Sequence, residues 1–368
     1  MMRTKSKSHE IDMCNGPILG KMLLFAIPLM FSSILQLLFN AADVIVVGRF
    51  AGDNALAAVG STTSLIHMFV NFFMGLSVGA NVLVARFRGA RQDRELKETV
   101  HTTITLSLIS GVILAIIGFF FFFIILQWME SPPEVLPLAT VYLRVYFLGM
   151  PALLLYNFGA AILRAVGDTR RPLIYLSIAG VLNVSLNLVF VIVFRWSVFG
   201  VALATTISQV ISAALVLWCL TKEQGPVHVE FKHLRVQKDK FIKIIQIGLP
   251  AGLQSVLFSF SNVLIQSSIN SFGATVVAGN AAAANLEGFA YVAMNAFHQS
   301  NLSFTSQNYG AGKYKRINRI FWIGQACVIV VGAVTGGASY LFGPQLLTLY
   351  STAENVIAAG MVRLGYIA

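Results

Sequence analysis

The chain has 368 residues, 57% of them hydrophobic and only 11% charged, with a formal charge of +11 and a mean hydropathy of +0.76. A soluble domain carries roughly 25% charged residues, so a water-soluble globule is excluded. Three scattered cysteines, Cys14, Cys219 and Cys327, supply neither a disulfide framework nor a metal-ligand spacing.

In chain order, residues 1–21 form a polar, basic tail, and no small-residue cleavage site follows the first apolar run, which is therefore read as retained. Crossing a bilayer takes about 20 apolar residues. Ten such runs follow, near 22–48, 54–85, 99–127, 136–161, 172–194, 198–221, 241–271, 276–306, 320–348 and from 355 to the end. The first six, over 22–221, make an N-terminal lobe. Residues 222–240, TKEQGPVHVEFKHLRVQKD, are the longest polar stretch and read as a cytoplasmic linker, a solvated tether. Its alternation from His228 to Val236 would also let it lie on the membrane surface. Residues 241–368 make a C-terminal lobe that is incomplete, since ten of twelve expected spans are present and the last two are missing. The fold class is all-α integral membrane protein with two pseudo-symmetric six-helix lobes.

The symmetry is read from a repeat. Pro28 lies 222 positions before Pro250, and at that offset Asn40 falls on Asn262 and Phe50 on Phe272. After a one-residue gap, Gly89-Ala90 falls on Gly310-Ala311, and each copy then enters a Gly-containing apolar span at Gly111 and Gly332. Parallel repeats related by an axis along the membrane normal are a recurring plan of secondary transporters, with the substrate path between the halves.

Charge placement supports this plan and removes the case for nucleic acid. Of the 26 Lys and Arg, 22 fall in the tail (Arg3, Lys5, Lys7, Lys21) or in the connections Arg86 to Lys97, Arg164 to Arg171, Lys222 to Lys243 and Lys313 to Arg319. Only Arg49, Arg144, Arg195 and Arg363 lie elsewhere. Positive loops stay cytoplasmic, so the N-terminus is placed inside and the chain in a bacterial inner (plasma) membrane as a multi-pass protein.

Thirteen of the fifteen acidic residues, Glu130 among them, sit in tails, loops or span ends, leaving Asp43 and Glu287 at membrane depth. A carboxylate there costs roughly 2.5–3.5 kcal/mol and usually faces the bundle interior. Burial favours the neutral acid and a neighbouring cation favours the charged one. Competition between a proton, sodium and an organic cation for one carboxylate is the physics of an antiporter. Gln36, Asn40 and Asp43 are spaced i, i+4, i+7 on one helical face, and Asn183 and Asn187 share another at i, i+4. Glu287, Tyr291 and His298 form a polar-aromatic stripe with Asn295 beside it, and Asn262, Gln266 and Asn270 follow a similar helical spacing at i, i+4, i+8. For the amides the alternative is packing glue between helices. For Asp43 it is an interfacial position or a local ion pair with Arg49, six residues on. His67 and His298 read as packing residues, Arg144 as a snorkelling side chain, and Arg164 to Pro172 as a shaped turn. No Walker loop, HExxH or CxxC occurs, so the chain is read as a transporter rather than an enzyme, without cofactor and without nucleotide drive.

The stretches AADVIVVGRF with Pro28 upstream, GLSVGANVLVARFRGA, LRAVGDTRRP, LNVSLNLVF and SQNYGAGK together resemble the MATE (multidrug and toxic compound extrusion) transporters, within the multidrug/oligosaccharidyl-lipid/polysaccharide flippase superfamily. The resemblance runs from about residue 17 to the end. It implies twelve helices around a V-shaped cavity, and alternating-access efflux of cationic or amphipathic compounds in exchange for protons or sodium ions. A monomer in the lipid bilayer with no nucleic-acid partner is expected. Residue by residue, Asp43 falls on the first-span aspartate that binds the coupling ion and is the candidate sodium or proton site. Asn183 falls on the fifth-span asparagine of that site. Asn187 stands where well-known prokaryotic members carry an aspartate, and Phe258 where another subgroup carries a seventh-span glutamate. The pattern is nearer the DinF and MepA-type bacterial members than the NorM type, with Glu287 as this chain's C-lobe acid. A lipid-linked oligosaccharide flippase of the same superfamily is the alternative, disfavoured by the shortage of intramembrane Lys and Arg.

Overall fold

The computed structural model describes residues 10–128, 133–350 and 353–367; Arg3, Lys5, Lys7 and Glu130, and the side chain of Asn270, lie outside the described positions. Long apolar runs can satisfy their backbone hydrogen bonds in lipid only as helices or closed barrels. The described residues are helical almost throughout. The helices are α1 (Ile18–Phe50), α2 (Asp53–Ala90), α3 (Asp93–Trp128), α4 (Leu136–Leu148), α5 (Met150–Val166), α6 (Arg170–Leu188), α7 (Ser197–Lys222), α8 (Lys238–Asn270), α9 (Ala274–Gly310), α10 (Tyr314–Leu341), α11 (Gly343–Thr348) and α12 (Glu354–Ile367).

Seven of these are long and apolar enough to cross a membrane by themselves, and α4 with α5 is apolar enough only as a pair bent by 46° around Gly149, a broken span or a re-entrant loop. The fourth expected span is therefore broken rather than continuous. α9, with 37 residues, is long enough but carries Asn280, Asn285, Glu287, Asn295 and His298. It packs against α1, α2, α10 and α12, which cover Asn280, Glu287 and Asn295 at least in part, while Asn285 and His298 are exposed. α12 has 14 residues. The span boundaries otherwise follow the apolar runs closely.

Three devices at the basic-loop ends hold the halves together. The first is a helix crossing. Gly75 and Gly79 on α2 face Gly248 and Gly252 on α8 so closely that a Cβ on any of them would strike the opposing backbone. Both are GxxxG patterns, which let membrane helices approach through small residues. The second crossing lies on the repeat axis. Gly89 packs on the Gln307 carbonyl and Gly310 on the Arg86 carbonyl, a reciprocal pair at the repeat offset. Ser303 donates to Asn81 Oδ1 at 3.1 Å, and these two residues are themselves 222 positions apart.

The third device is the segment before α1, which lies across both halves. Ile11 N–H bonds to Gly167 O at 3.1 Å and Glu10 pairs with Arg88 at 2.5 Å, both in the first half. From the second half, Asn308 donates to Met13 O at 3.1 Å and Lys313 to Cys14 O at 3.0 Å. Arg316 donates to Gly16 O at 2.9 Å.

The linker is not a free tether. Val227 and Val229 are buried, Glu230 N–H donates to His101 Nε2 at 3.0 Å and Gln237 N–H to Thr102 Oγ1 at 3.1 Å, fastening it along α3. Beside it, buried Lys240 of α8 pairs with Glu95 and Asp239. The linker is therefore a docked strap, anchored by Val227 and Val229, while Phe231 and Val236 of the alternating stretch stay exposed.

Candidate functional site

α1 divides its packing between the two halves, and Pro28 marks the division. Before and at that turn, Ile18, Met22, Phe25, Ala26 and Leu29 form a core with Ala296, Phe297, Phe304 and Ile320 of α9 and α10. Phe25 and Phe304 meet edge to face with ring centroids 5.7 Å apart. Beyond it, Phe39 lies on Gly180 of α6, a glycine that leaves room for the ring. One turn further on, Asp43 reaches the interior of the first half. A proline inside a helix removes one ladder hydrogen bond and is the usual cause of a bend.

The Asp43 carboxylate accepts a hydrogen bond from Asn187 Nδ2 of α6, and Thr205 Oγ1 of α7 lies 3.4 Å from its second oxygen. Asn183 Nδ2 donates to Thr205 Oγ1 at 3.2 Å, and Asn187 Nδ2 also lies 3.4 Å from Asn183 Oδ1. Asn183 and Asn187 are buried, and Asp43 is half-buried. Among the described residues, Asn187 Oδ1 is buried with no hydrogen-bond partner. Such orphaned buried acceptors are rare and call for an explanation. Directly after Asn187 the backbone loosens into a π-helical turn over Val189–Val193, a feature frequent at functional sites. The expected alternative partner is not used: Arg49 is exposed, and among the described residues no ion pair involves Asp43.

The other expected residues separate into two groups. Gln36 and Asn40 share the α1 face with Asp43 but are exposed, with no side-chain hydrogen bond among the described residues. In the second half, Glu287 does not join the Asp43 cluster. Its Oε2 pairs with Arg363 Nη2 of α12 at 2.5 Å, while Arg363 Nη1 donates to Asn280 Oδ1. Asn280 Nδ2 reaches Gln266 Oε1 of α8 at 3.3 Å. Tyr291, one turn after Glu287, is exposed and stacks on Phe258 with centroids 6.3 Å apart and planes within 14°. His67 and His298 are exposed. Arg144 lies over the Phe119 ring at 5.2 Å. The Arg164–Pro172 turn is closed by Asp168, whose Oδ1 accepts from the N–H groups of Arg170 and Arg171 while Arg171 joins it to Glu223.

Sequence reasoning missed Thr205, Arg363 and the facing glycines. A threonine in an apolar helix carries no periodic signal of its own. The two GxxxG patterns, in contrast, stand plainly in the sequence.

The MatE family model matches residues 28–189 and 250–368, two blocks that start at the paired prolines. The chain belongs to the MatE family. It is 29% identical over 358 residues to the probable multidrug resistance protein YpnP of Bacillus subtilis, covering 97% of this chain and 80% of that one. To YoeA of the same organism, also described as a probable multidrug resistance protein, it is 27% identical over 343 residues, covering 91% and 74%. The multidrug export protein MepA of Staphylococcus aureus is 22% identical over 344 residues, covering 93% and 76%. Among solved structures, a MATE family multidrug resistance transporter in an outward-facing conformation superposes with a TM-score of 0.89 at 24% identity, covering 98% of this chain and 80% of that one. A MOP superfamily transporter from Pyrococcus furiosus superposes equally well. These likenesses show the fold; the described geometry of this MatE chain supplies the chemistry.

Proposed function

We propose that this MatE chain exports cationic or amphipathic organic compounds by alternating access, driven by protons or sodium ions taken up at Asp43. The observation that carries the reading is a membrane-depth carboxylate surrounded by amides and a hydroxyl. An uncompensated charge in that setting is costly. Taking up a cation removes the cost.

The cluster suits either ion. As a carboxylate, Asp43 accepts from Asn187 Nδ2; as a neutral acid it would donate its O–H to Asn187 Oδ1 after the amide turns over. An amide partner serves both charge states, whereas a second carboxylate would repel the first. For sodium, a hard cation that prefers oxygen, Asp43, Asn183 Oδ1, Asn187 Oδ1 and Thr205 Oγ1 are the available donors.

Coupling runs through α1. Past Pro28 the helix is held by the Asp43 cluster, and before it by the packing of Phe25 on the second half. A change of charge at Asp43 alters the hold on one side of the proline, and α1 passes it to the seal between the halves. The relatives described as multidrug resistance and export proteins support organic compounds as the cargo.

The test is ethidium efflux from proteoliposomes under separately imposed proton and sodium gradients. Efflux driven by one of the gradients supports the proposal. Headgroup movement of a lipid-linked sugar, with no gradient-driven ethidium flux, would replace it with the flippase reading.

A further inference from the structure

The two halves place their deep carboxylates in opposite electrostatic settings. In the first half, Asp43 is surrounded by Asn187, Asn183 and Thr205, and none of these brings a charge. In the second half, Glu287 is met by the Arg363 guanidinium at 2.5 Å, and the network continues through Asn280 to Gln266 across α9, α12 and α8. Both charges are partly withdrawn from solvent, with 36% of the Glu287 side chain and 26% of the Arg363 side chain exposed.

The repeat makes the contrast sharper. After the one-residue gap that brings Gly89 onto Gly310, Arg363 falls on Tyr142. Tyr142 is a buried, uncharged side chain of α4. The position that supplies a cation to Glu287 in the second half therefore carries an uncharged phenol in the first, although Asp43 on α1 and Glu287 on α9 are not themselves repeat equivalents.

We propose that Arg363 is a tethered counter-ion: it occupies the place beside Glu287 that a coupling cation would otherwise fill. Glu287 then binds no coupling cation, and among the described residues the coupling cation is taken at Asp43 alone. This rests on Asp43 as the coupling carboxylate, but the C-lobe statement is testable without it. The physical basis is charge balance. Glu287 with Arg363 is formally neutral, whereas Asp43 with its amides is not, and in a low-dielectric setting the uncompensated acid is the one that recruits a cation.

The experiment counts cations bound to purified, full-length protein, by radiolabelled sodium and by potentiometric proton titration of matched variants. The reference is Asp43→Asn, in which the first half carries no titrating acid. Adding Arg363→Gln to that variant is expected to gain one cation per chain, and adding Glu287→Gln to the pair to lose it again. Arg363→Lys, which keeps a tethered charge, is expected to gain none. In proteoliposomes, Arg363→Gln should raise the cation-to-ethidium ratio from one to two. Equal counts in Asp43→Asn with and without Arg363→Gln overturn the proposal and leave the pair a purely structural one. If Arg363→Gln fails to insert, Arg363→His in the Asp43→Asn background decides: one bound sodium gained above the imidazole's titration range and none below it supports the tethered counter-ion, and no sodium at either pH overturns it. Failure of the Asp43 reading looks different, as equal counts in wild type and Asp43→Asn.

Discussion

At the scale of single residues, the proposed coupling chemistry concentrates on Asp43 and the amide that faces it. Replacing Asp43 by Asn removes the charge and keeps the shape. Ethidium efflux is expected to be lost while the amount of membrane-inserted protein stays the same, as read by quantitative blotting beside a transport assay. Unchanged efflux would reject the role. Asn187→Ala leaves the carboxylate without its donor. A hydrogen bond to a charged group contributes about 1.5–3 kcal/mol, so half-saturation by the coupling ion should shift by about ten-fold or more. An unshifted ion dependence would assign Asn187 to packing. Asp43, Asn183 and Asn187 were legible because helical spacing puts them on inward faces and a charge in an apolar run has few structural excuses. Thr205 was not, since only the approach of α7 to α6 brings its hydroxyl to the carboxylate.

At the scale of elements, the glycine crossings and the prolines set what can move. Gly79 lies against Ile244 O and Gly248 of α8, so a larger side chain there must separate the helices. Gly79→Leu is expected to hold the basic-loop ends apart, shown by longer spin-label distances across α2 and α8 and by loss of transport with the fold intact. Pro28→Ala restores a ladder hydrogen bond in α1. It should lower transport while leaving ion binding at Asp43 near its wild-type strength, which isothermal titration would check. The linker responds to pH. A hydrogen bond from Lys97 holds the Glu230 carboxyl below its ordinary value, helped by His233. Because that value is depressed on docking, the contribution is complete above the ordinary glutamate range and is lost as pH falls through the lower, docked value. Proteolysis of the linker should therefore quicken only in acid, and a rate independent of pH would show that Glu230 does not hold it.

At the scale of the whole molecule, the halves meet where α1 and α8 begin and α2 and α9 end. The segment from Glu10 to Gly16 crosses that seam, tied to Arg88 and Gly167 on one side and to Asn308, Lys313 and Arg316 on the other. Gln36, Asn40 and the Phe258–Tyr291 stack lie away from the seam and are exposed. Cysteines placed at Gln36 and Asn40 should react quickly with a membrane-impermeant maleimide from the side opposite the basic loops, and one at Gly89 should not. Equal labelling of all three would mean that the seam is open. The bridging segment was invisible in the sequence because its bonds use backbone carbonyls, which every residue type supplies.

What the sequence determined alone was the membrane class, the repeat, the span boundaries and the deep acids, because hydropathy, charge placement and helical period are local properties that lipid enforces on every segment. What only the tertiary structure decided was partnership. Two carboxylates that look alike along the chain differ because α6 and α7 bring amides and a hydroxyl to Asp43, while α12 brings a guanidinium to Glu287. Hydropathy records that a charge is buried; the helix packing decides whether another charge is buried with it.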